Sequence, residues 1–216
     1  MQKVEDVAPL YLGEPGPHLL EIGTGRSFKA GWLCTDLEQL AAVDGSELPA
    51  VHYMDATQPF PLPSDAFDAV YTEHTIEHLS LLDGMRLAAE AFRVLKSGGV
   101  LRVVTPSLGF LLRMTSIDKD LFEQRYFDWA LDASVPDAPI HSAAVFLNNF
   151  VRAWGHRFIY DRPTLRITME RAGFTDVREC GLLESAIPAM AGIANVGRMP
   201  PGFLALESMI MEGRKP

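Results

Sequence analysis

Short apolar runs recur along the first half of the chain. Residues 18–23 (HLLEIG), 32–36 (WLCTD), 51–55 (VHYMD), 67–72 (FDAVYT) and 100–105 (VLRVVT) share this pattern, which suits strands buried on both faces of a parallel sheet. The first four carry an acid or a hydroxyl at or next to their carboxyl ends. Between the fourth and fifth runs, residues 83–95 place Met85, Leu87, Ala88, Ala91, Phe92, Val94 and Leu95 at the spacings of an amphipathic helix. Lys-Ser-Gly-Gly at 96–99 ends that helix, because glycine accepts the left-handed backbone of a C-terminal cap. Strands alternating with helices predict a parallel sheet covered on both faces.

Beyond residue 106 the pattern is less regular. Helical spacing near 108–131 and 142–153 flanks a turn-rich DASVPDAPI at 132–140, and we read 108–160 as a helical lid. Residues 163–173 predict a helix opened by Pro163 and closed by Gly173. A strand at 174–180, a long irregular excursion, and a last strand at 203–212 complete the chain. No repeat, low-complexity tract or Pro/Gly/Ser linker divides it, so residues 1–216 are expected to form one domain.

Composition narrows the functional classes. A chain of 216 residues with 48% hydrophobic positions can bury roughly 70% of its unfolded surface without disulfides or structural metal. Cys34 and Cys180 are the only cysteines, which excludes a disulfide framework and a four-cysteine zinc site. A net charge of −9 repels phosphate backbones, so a nucleic-acid partner is not expected. Neither a leader pattern nor a membrane-length apolar run occurs, which predicts a soluble cytoplasmic protein with no membrane partner.

The first strand ends on Glu21-Ile22-Gly23-Thr24-Gly25, where glycines let the backbone approach a ligand. A nicotinamide dinucleotide site needs a third glycine at the position of Phe28, and a following helix to receive the pyrophosphate. Residues 23–31 are too few for that helix. The expected ligand is therefore of adenosine type without a diphosphate. Asp36, ending the second strand, can accept both hydroxyls of a ribose, or else cap a helix. Asp55, ending the third, can accept from an adenine amino group, or else form a turn.

The ordered set LLEIGTG, GWLCTDL, MDATQPFPLPSDAFDAVYTEHTIEHL and AFRVLKSGGVLRVVTPS resembles class I S-adenosylmethionine-dependent methyltransferases, most nearly the small type 11 kind. The resemblance covers residues 18–107, and residues 154–179 are similar to the same group's later segment. It implies a Rossmann-like, doubly wound α/β fold with a seven-stranded, mostly parallel sheet, an antiparallel last strand and a helical lid insertion. It also implies S-adenosylmethionine as cofactor and methyl transfer to a small-molecule acceptor through oxygen, nitrogen or carbon. By the same resemblance residues 18–107 form the cofactor half, 108–160 the substrate region and 161–216 the C-terminal part. Glu21, Gly23, Thr24 and Gly25 would flank the methionine, Asp36 and Leu37 the ribose, Asp55 and Ala56 the adenine, while Thr72 and Glu73 would line the pocket. The chain departs from the group at Ser27, where a third glycine is common, and at Thr24, where many relatives have cysteine.

Residues 74–78 spell H-x-x-E-H, an inverted zincin pattern that on a helix sets two imidazoles one turn apart. Here it follows a buried strand instead, so no metal ligand is expected. Within the resemblance His74 is the first candidate for proton acceptor and His156 the second. Local hydrogen bonding among Glu73, His74, Glu77 and His78 is the plainer alternative. His78, Trp154, Arg157 and Tyr160 are candidates for a substrate wall, or for a structural clasp before the helix at 163. The rival functions are a regulatory protein that binds the cofactor without turnover, a cofactor-assisted non-methylating enzyme, and a zinc hydrolase. Segments 108–153 and 181–202 are suited to cover a substrate or a partner chain.

Overall fold

The computed structural model describes residues 1–38 and 50–216. Seven strands form one sheet: β1 (Leu19–Ile22), β2 (Leu33–Asp36), β3 (His52–Tyr53), β4 (Phe67–Glu73), β5 (Leu95–Pro106), β6 (Thr175–Glu179) and β7 (Ser208–Arg214). Their order is β3-β2-β1-β4-β5-β7-β6, and β7 runs antiparallel to both of its neighbours. This is the doubly wound sheet with an antiparallel last strand that the sequence predicts. The order reverses between β1 and β4, which opens a crevice beyond the strand ends where such sheets bind ligands. Ile22 lies level with Thr35 on one side and Thr72 on the other, so Gly23, Asp36 and Glu73 emerge along one edge.

The helices among the described residues are α1 (Val4–Gly13), α2 (Leu81–Val94), α3 (Leu108–Met114), α4 (Leu121–Ser134), α5 (Ala143–Arg152), α6 (Arg162–Ala172) and α7 (Phe203–Glu207). None is long and apolar enough to cross a membrane. α2 turns Leu87, Ala88, Ala91 and Val94 inward, and Ser80 caps it by accepting from the Asp83 amide. α6 opens with Asp161 as cap and Pro163 in its first turn, and it stops at Gly173 with φ +110°. Both pack on the main core with Val70, Leu101 and Met211. A second apolar cluster joins α3, α4 and α5 through Phe110, Tyr126, Phe127, Phe146 and Phe150, with Phe203 of α7 inserted.

Four local expectations are corrected. α1 was not foreseen, because Pro9 interrupts its helical pattern; Tyr11 fastens it by accepting from the Leu19 amide and donating to the Leu19 carbonyl. The helical stretch at 108–131 is two helices, the second starting at an Asp120–Glu123 capping box. β5 begins five residues before the predicted 100–105 run, at Leu95, across a register shift between Phe67 and Ala69. Residues 203–207 are helix rather than strand: Leu-Ala-Leu-Glu are strong helix formers, and the strand starts only at Ser208.

Candidate active site

The glycine loop runs from β1 to β2 without a helix, as its shortness predicts. Gly23 and Thr24 both donate to the Thr35 carbonyl, at 2.8 and 3.1 Å, which folds the loop back over β2. Gly23 has φ +75° and Gly25 φ +57°, backbone that glycine adopts without strain. A Cβ at Gly23 would stand 2.0 Å from Thr75 Oγ1, whereas one at Gly25 would meet nothing within 4 Å among the described residues. The space beside Gly25 is a cradle that a ligand can enter.

Asp36 holds this loop. Its Oδ2 accepts from the Gly25 amide at 2.7 Å and its Oδ1 from the amide of exposed Leu37 at 2.7 Å. Asp55 uses Oδ1 to accept from the amide and hydroxyl of Thr57, at 2.8 and 2.7 Å, so the turn foreseen as its alternative is present. Ala56 beside it packs on the main core. Glu21 is buried, with Lys29 Nζ 2.5 Å from Oε1 and Cys34 Sγ 3.3 Å from Oε2. Burial raises the Glu21 carboxyl above its ordinary value despite Lys29, and burial with Glu21 nearby pushes the Cys34 thiol up to about 12, leaving it unreactive. Thr72 lies wholly inside the sheet, its hydroxyl without a hydrogen-bond partner among the described residues, and it does not line the cavity.

A cavity of about 750 Å³ starts at Gly23, Thr24 and Gly25 and runs over the ends of β4 and β5 to an aromatic wall. Tyr126 and Trp129 of α4, Phe146 and Phe150 of α5, and Trp154 supply that wall. Glu73 borders the cavity and accepts from the Tyr71 hydroxyl at 2.8 Å and from the Asn195 amide at 3.2 Å, which draws the 181–202 excursion across it.

The polar floor centres on His74, held at φ +50°. Its Nε2 lies 2.8 Å from Arg198 Nη2, which can only donate. That assigns the lone pair to Nε2 and the proton to Nδ1, 3.1 Å from Glu77 Oε1. Arg198 also pairs with Glu207 Oε1 at 3.1 Å, and the Tyr126 hydroxyl donates to Glu207 Oε2. Burial raises the Glu207 carboxyl, and burial and then Glu207 raise the Tyr126 phenol. Glu77 is also buried, which opposes its charge, yet His74 beside it holds its carboxyl below the ordinary value. His156 Nδ1 lies 2.6 Å from the Phe150 carbonyl, so that nitrogen carries the proton; burial lowers the imidazole's affinity for a second one.

Of the predicted wall, His78 and Trp154 line the cavity, as does His156, the second candidate proton acceptor. Arg157 is exposed on the side of Asp83. Tyr160 is fully buried in the main core, and a Cβ at Gly84 would stand 2.2 Å from its hydroxyl. Burial pushes its phenol up to about 12. Both therefore lie apart from the cavity, as the structural clasp would have them. Sequence reasoning missed Lys29, Arg198, Glu207 and the α4 and α5 members of the aromatic wall. Tyr126–Trp129 and Phe146–Phe150 did carry a signal, the three- and four-residue spacing that puts pairs on one helix face. Residues 76–78 form a single three-ten turn, so the helix required by the zincin pattern is absent.

Residues 20–103 match a family described as a methyltransferase domain, type 11. No curated protein matches the sequence significantly. Among solved structures, an S-adenosylmethionine-dependent methyltransferase from Archaeoglobus fulgidus is 17% identical with a TM-score of 0.53, over 98% of this chain and 91% of that one. A complex of the Haloferax volcanii Trm112 methyltransferase activator with a methyltransferase gives 11% identity and a TM-score of 0.52, over 100% and 99% of the two chains. These likenesses concern the fold. The match over residues 20–103, the strand order and the glycine loop at the switch point agree in giving that stretch the form of a methyltransferase domain.

Proposed function

We propose that this protein methylates a small-molecule acceptor seated between the glycine loop and the aromatic wall. The observation that carries the reading is the continuity of one cavity from Gly25 to Phe146 and Phe150. Its volume of about 750 Å³ lies within the roughly 300–1,000 Å³ of small-ligand sites. Its far end is lined by residues 195–199 and by α4 and α5, whose aromatic side chains favour a compact acceptor over a polymer.

When bound, S-adenosylmethionine supplies a methyl group activated on a sulfonium. Gly23, Thr24 and Gly25 admit its methionine part, with Glu21 behind them. Asp36 keeps lone pairs for ribose hydroxyls while retaining the Gly25 amide. Leu37, Asp55 and Ala56 serve the ribose and adenine side, and Glu73 borders the reacting region. Thr72 supports that edge from inside the sheet. The aromatic wall excludes water and aligns the acceptor, which is most of what an in-line transfer requires. His74 is the proton acceptor; its Nε2 lone pair accepts from Arg198 in this structure, so Arg198 must yield it and keep its pairing with Glu207 for His74 to take the proton. His78, Trp154 and His156 shape the acceptor's berth; Arg157 and Tyr160 take no part in it.

Calorimetric titration with S-adenosylhomocysteine, followed by a methyl-transfer assay over aromatic alcohols and amines, tests the proposal. Cofactor binding with turnover on at least one such compound is expected. Turnover confined to protein or nucleic acid would overturn the acceptor assignment.

A further inference from the structure

Behind the aromatic wall, three side chains converge that methyl transfer by alignment alone does not require. One ligand-capable atom from each of Glu77, His78 and His156 lies within 4.8 Å of the others. The His78 and His156 rings stand 5.0 Å apart at 64°. We propose that these residues bind a divalent transition-metal ion of the zinc class at the edge of the cavity.

The convergence is built by the backbone. The amides of Arg157 and Phe158 both donate to the Glu77 carbonyl, at 2.8 and 3.1 Å, stapling the 153–158 segment to the 76–78 turn. Trp154 at φ +56° and Gly155 at φ +80° make the left-handed corner that swings His156 toward His78. Non-glycine backbone held there, as at His74, is strain that the surrounding contacts sustain.

The donor set and its outer contacts have the form of a metal site. The Phe150 carbonyl fixes the His156 Nδ1–H, which leaves Nε2 as the ligating atom. The Thr105 hydroxyl donates to Glu77 Oε2 at 3.0 Å. Among the described residues, buried Glu77 Oε1 has only the His74 Nδ1–H near it, 3.1 Å away and outside hydrogen-bond geometry. A buried carboxylate oxygen so weakly satisfied is costly, and a cation satisfies it better. Two imidazoles with one carboxylate is a donor set zinc-class ions favour, with coordination positions left open for other ligands. Metal–ligand bonds of about 2.0–2.1 Å require ligand atoms roughly 3.3 Å apart, so the three would close by about 1.5 Å. His78 and His156 also line the cavity, so an open position there can take a donor atom of the acceptor. That use rests on the methyl-transfer reading; the site itself does not.

The test begins with full-length protein freed of metal by chelation. Zn²⁺ is titrated calorimetrically and Co²⁺ is followed by its visible absorption, with S-adenosylhomocysteine titrated into the same metal-free sample. One equivalent of metal is expected, lost in His78→Ala and His156→Ala, and weakened about 10- to 100-fold in Thr105→Val, which removes an outer contact. Substoichiometric uptake by the wild type, or unchanged uptake by His156→Ala, overturns the site. Should a variant fail to fold, pulsed electron paramagnetic resonance of the Cu²⁺-loaded wild type decides: two coupled imidazoles support the site and none overturns it. Cofactor binding without metal uptake rejects the metal alone, and metal uptake without cofactor binding rejects the methyl-transfer reading alone.

Discussion

Gly23→Ala isolates the glycine loop's packing from its ligand chemistry. Alanine at φ +75° bears about 1–2 kcal/mol of left-handed strain. Its Cβ would also overlap Thr75, standing 2.0 Å from Oγ1, 2.6 Å from Cγ2 and 2.8 Å from Cβ. Overpacking of this kind costs about 1–3 kcal/mol more, for a total of about 2–5 kcal/mol. In a chain of this length that lowers Tm by about 4–20 °C. Gly25→Ala is the control: its φ of +57° brings similar strain, but its Cβ meets nothing, so about 1–2 kcal/mol is expected. Thr75→Ala removes Oγ1 and Cγ2, so the Gly23→Ala/Thr75→Ala double variant should recover part of the overlap and show a coupling of about 1 kcal/mol or more. Urea unfolding of the four proteins provides the cycle. Equal losses in Gly23→Ala and Gly25→Ala, or additive behaviour of the double variant, would refute the assignment of Thr75 as the wall behind Gly23.

Asp36→Ala should abolish calorimetric binding of S-adenosylhomocysteine and release the Gly25 amide, a charge-assisted bond of about 1.5–3 kcal/mol; retained micromolar affinity would defeat the ribose role. His74→Ala should lower kcat by about 10²–10⁴ with little change in cofactor affinity, since general-base assistance is of that size; an unchanged kcat on a purified acceptor would remove it as proton acceptor. Arg102 is fully buried, pairs with Glu212 at 2.8 Å and donates to the carbonyls of Gly181, Leu182 and Glu184. Arg102→Ala leaves the buried Glu212 carboxylate with the Ala186 amide and a more distant Arg178, and leaves three carbonyls without their donor; it should cost about 3–5 kcal/mol by urea denaturation, and a loss below about 1 kcal/mol would contradict that accounting. His156 has a folded pKa below its unfolded value near 6.5, so its unfolded form binds more protons just below that pH. Its stabilising contribution is complete above pH 6.5 and falls as the pH drops through that value. His156→Asn should therefore flatten the stability profile between pH 5 and 7, and an unchanged profile would show that His156 is not held neutral.

What the sequence made legible follows the range of the interactions involved. β1, β2 and β4 were readable because burial on both faces writes itself as a continuous apolar run, and α6 because Pro163 and Gly173 mark its ends. The edge proposed for the cofactor has the same origin: Gly23, Asp36 and Glu73 each lie at the end of such a run, and the parallel register alone brings them level. The polar floor had no comparable signal. Arg198 meets His74 across 124 positions, and Tyr126 meets Glu207 across 81. Nothing local to any of the four announces the partner. Local preference also misled at residues 203–207, where Phe203 seats in the α3–α5 cluster and Glu207 turns to the floor from a short helix.

The acidic surplus acts differently at the site than a net charge of −9 suggests. Glu21, the first acid of the glycine loop, has Lys29 at 2.5 Å, so it offers a bound cation little net attraction. Among the described residues Glu73 receives only neutral donors, the Tyr71 hydroxyl and the Asn195 amide, and these fix its carboxylate without cancelling its charge. Glu207 has Arg198 at 3.1 Å, while Glu77 has only an imidazole near its free oxygen. Among the described residues, the carboxylates bordering the cavity without a Lys or Arg partner are thus Glu73, beside the glycine loop, and Glu77, beside the paired histidines. A sulfonium held over Gly25 suits the first and a divalent cation suits the second, which gives the cavity two separate places for positive charge along its length.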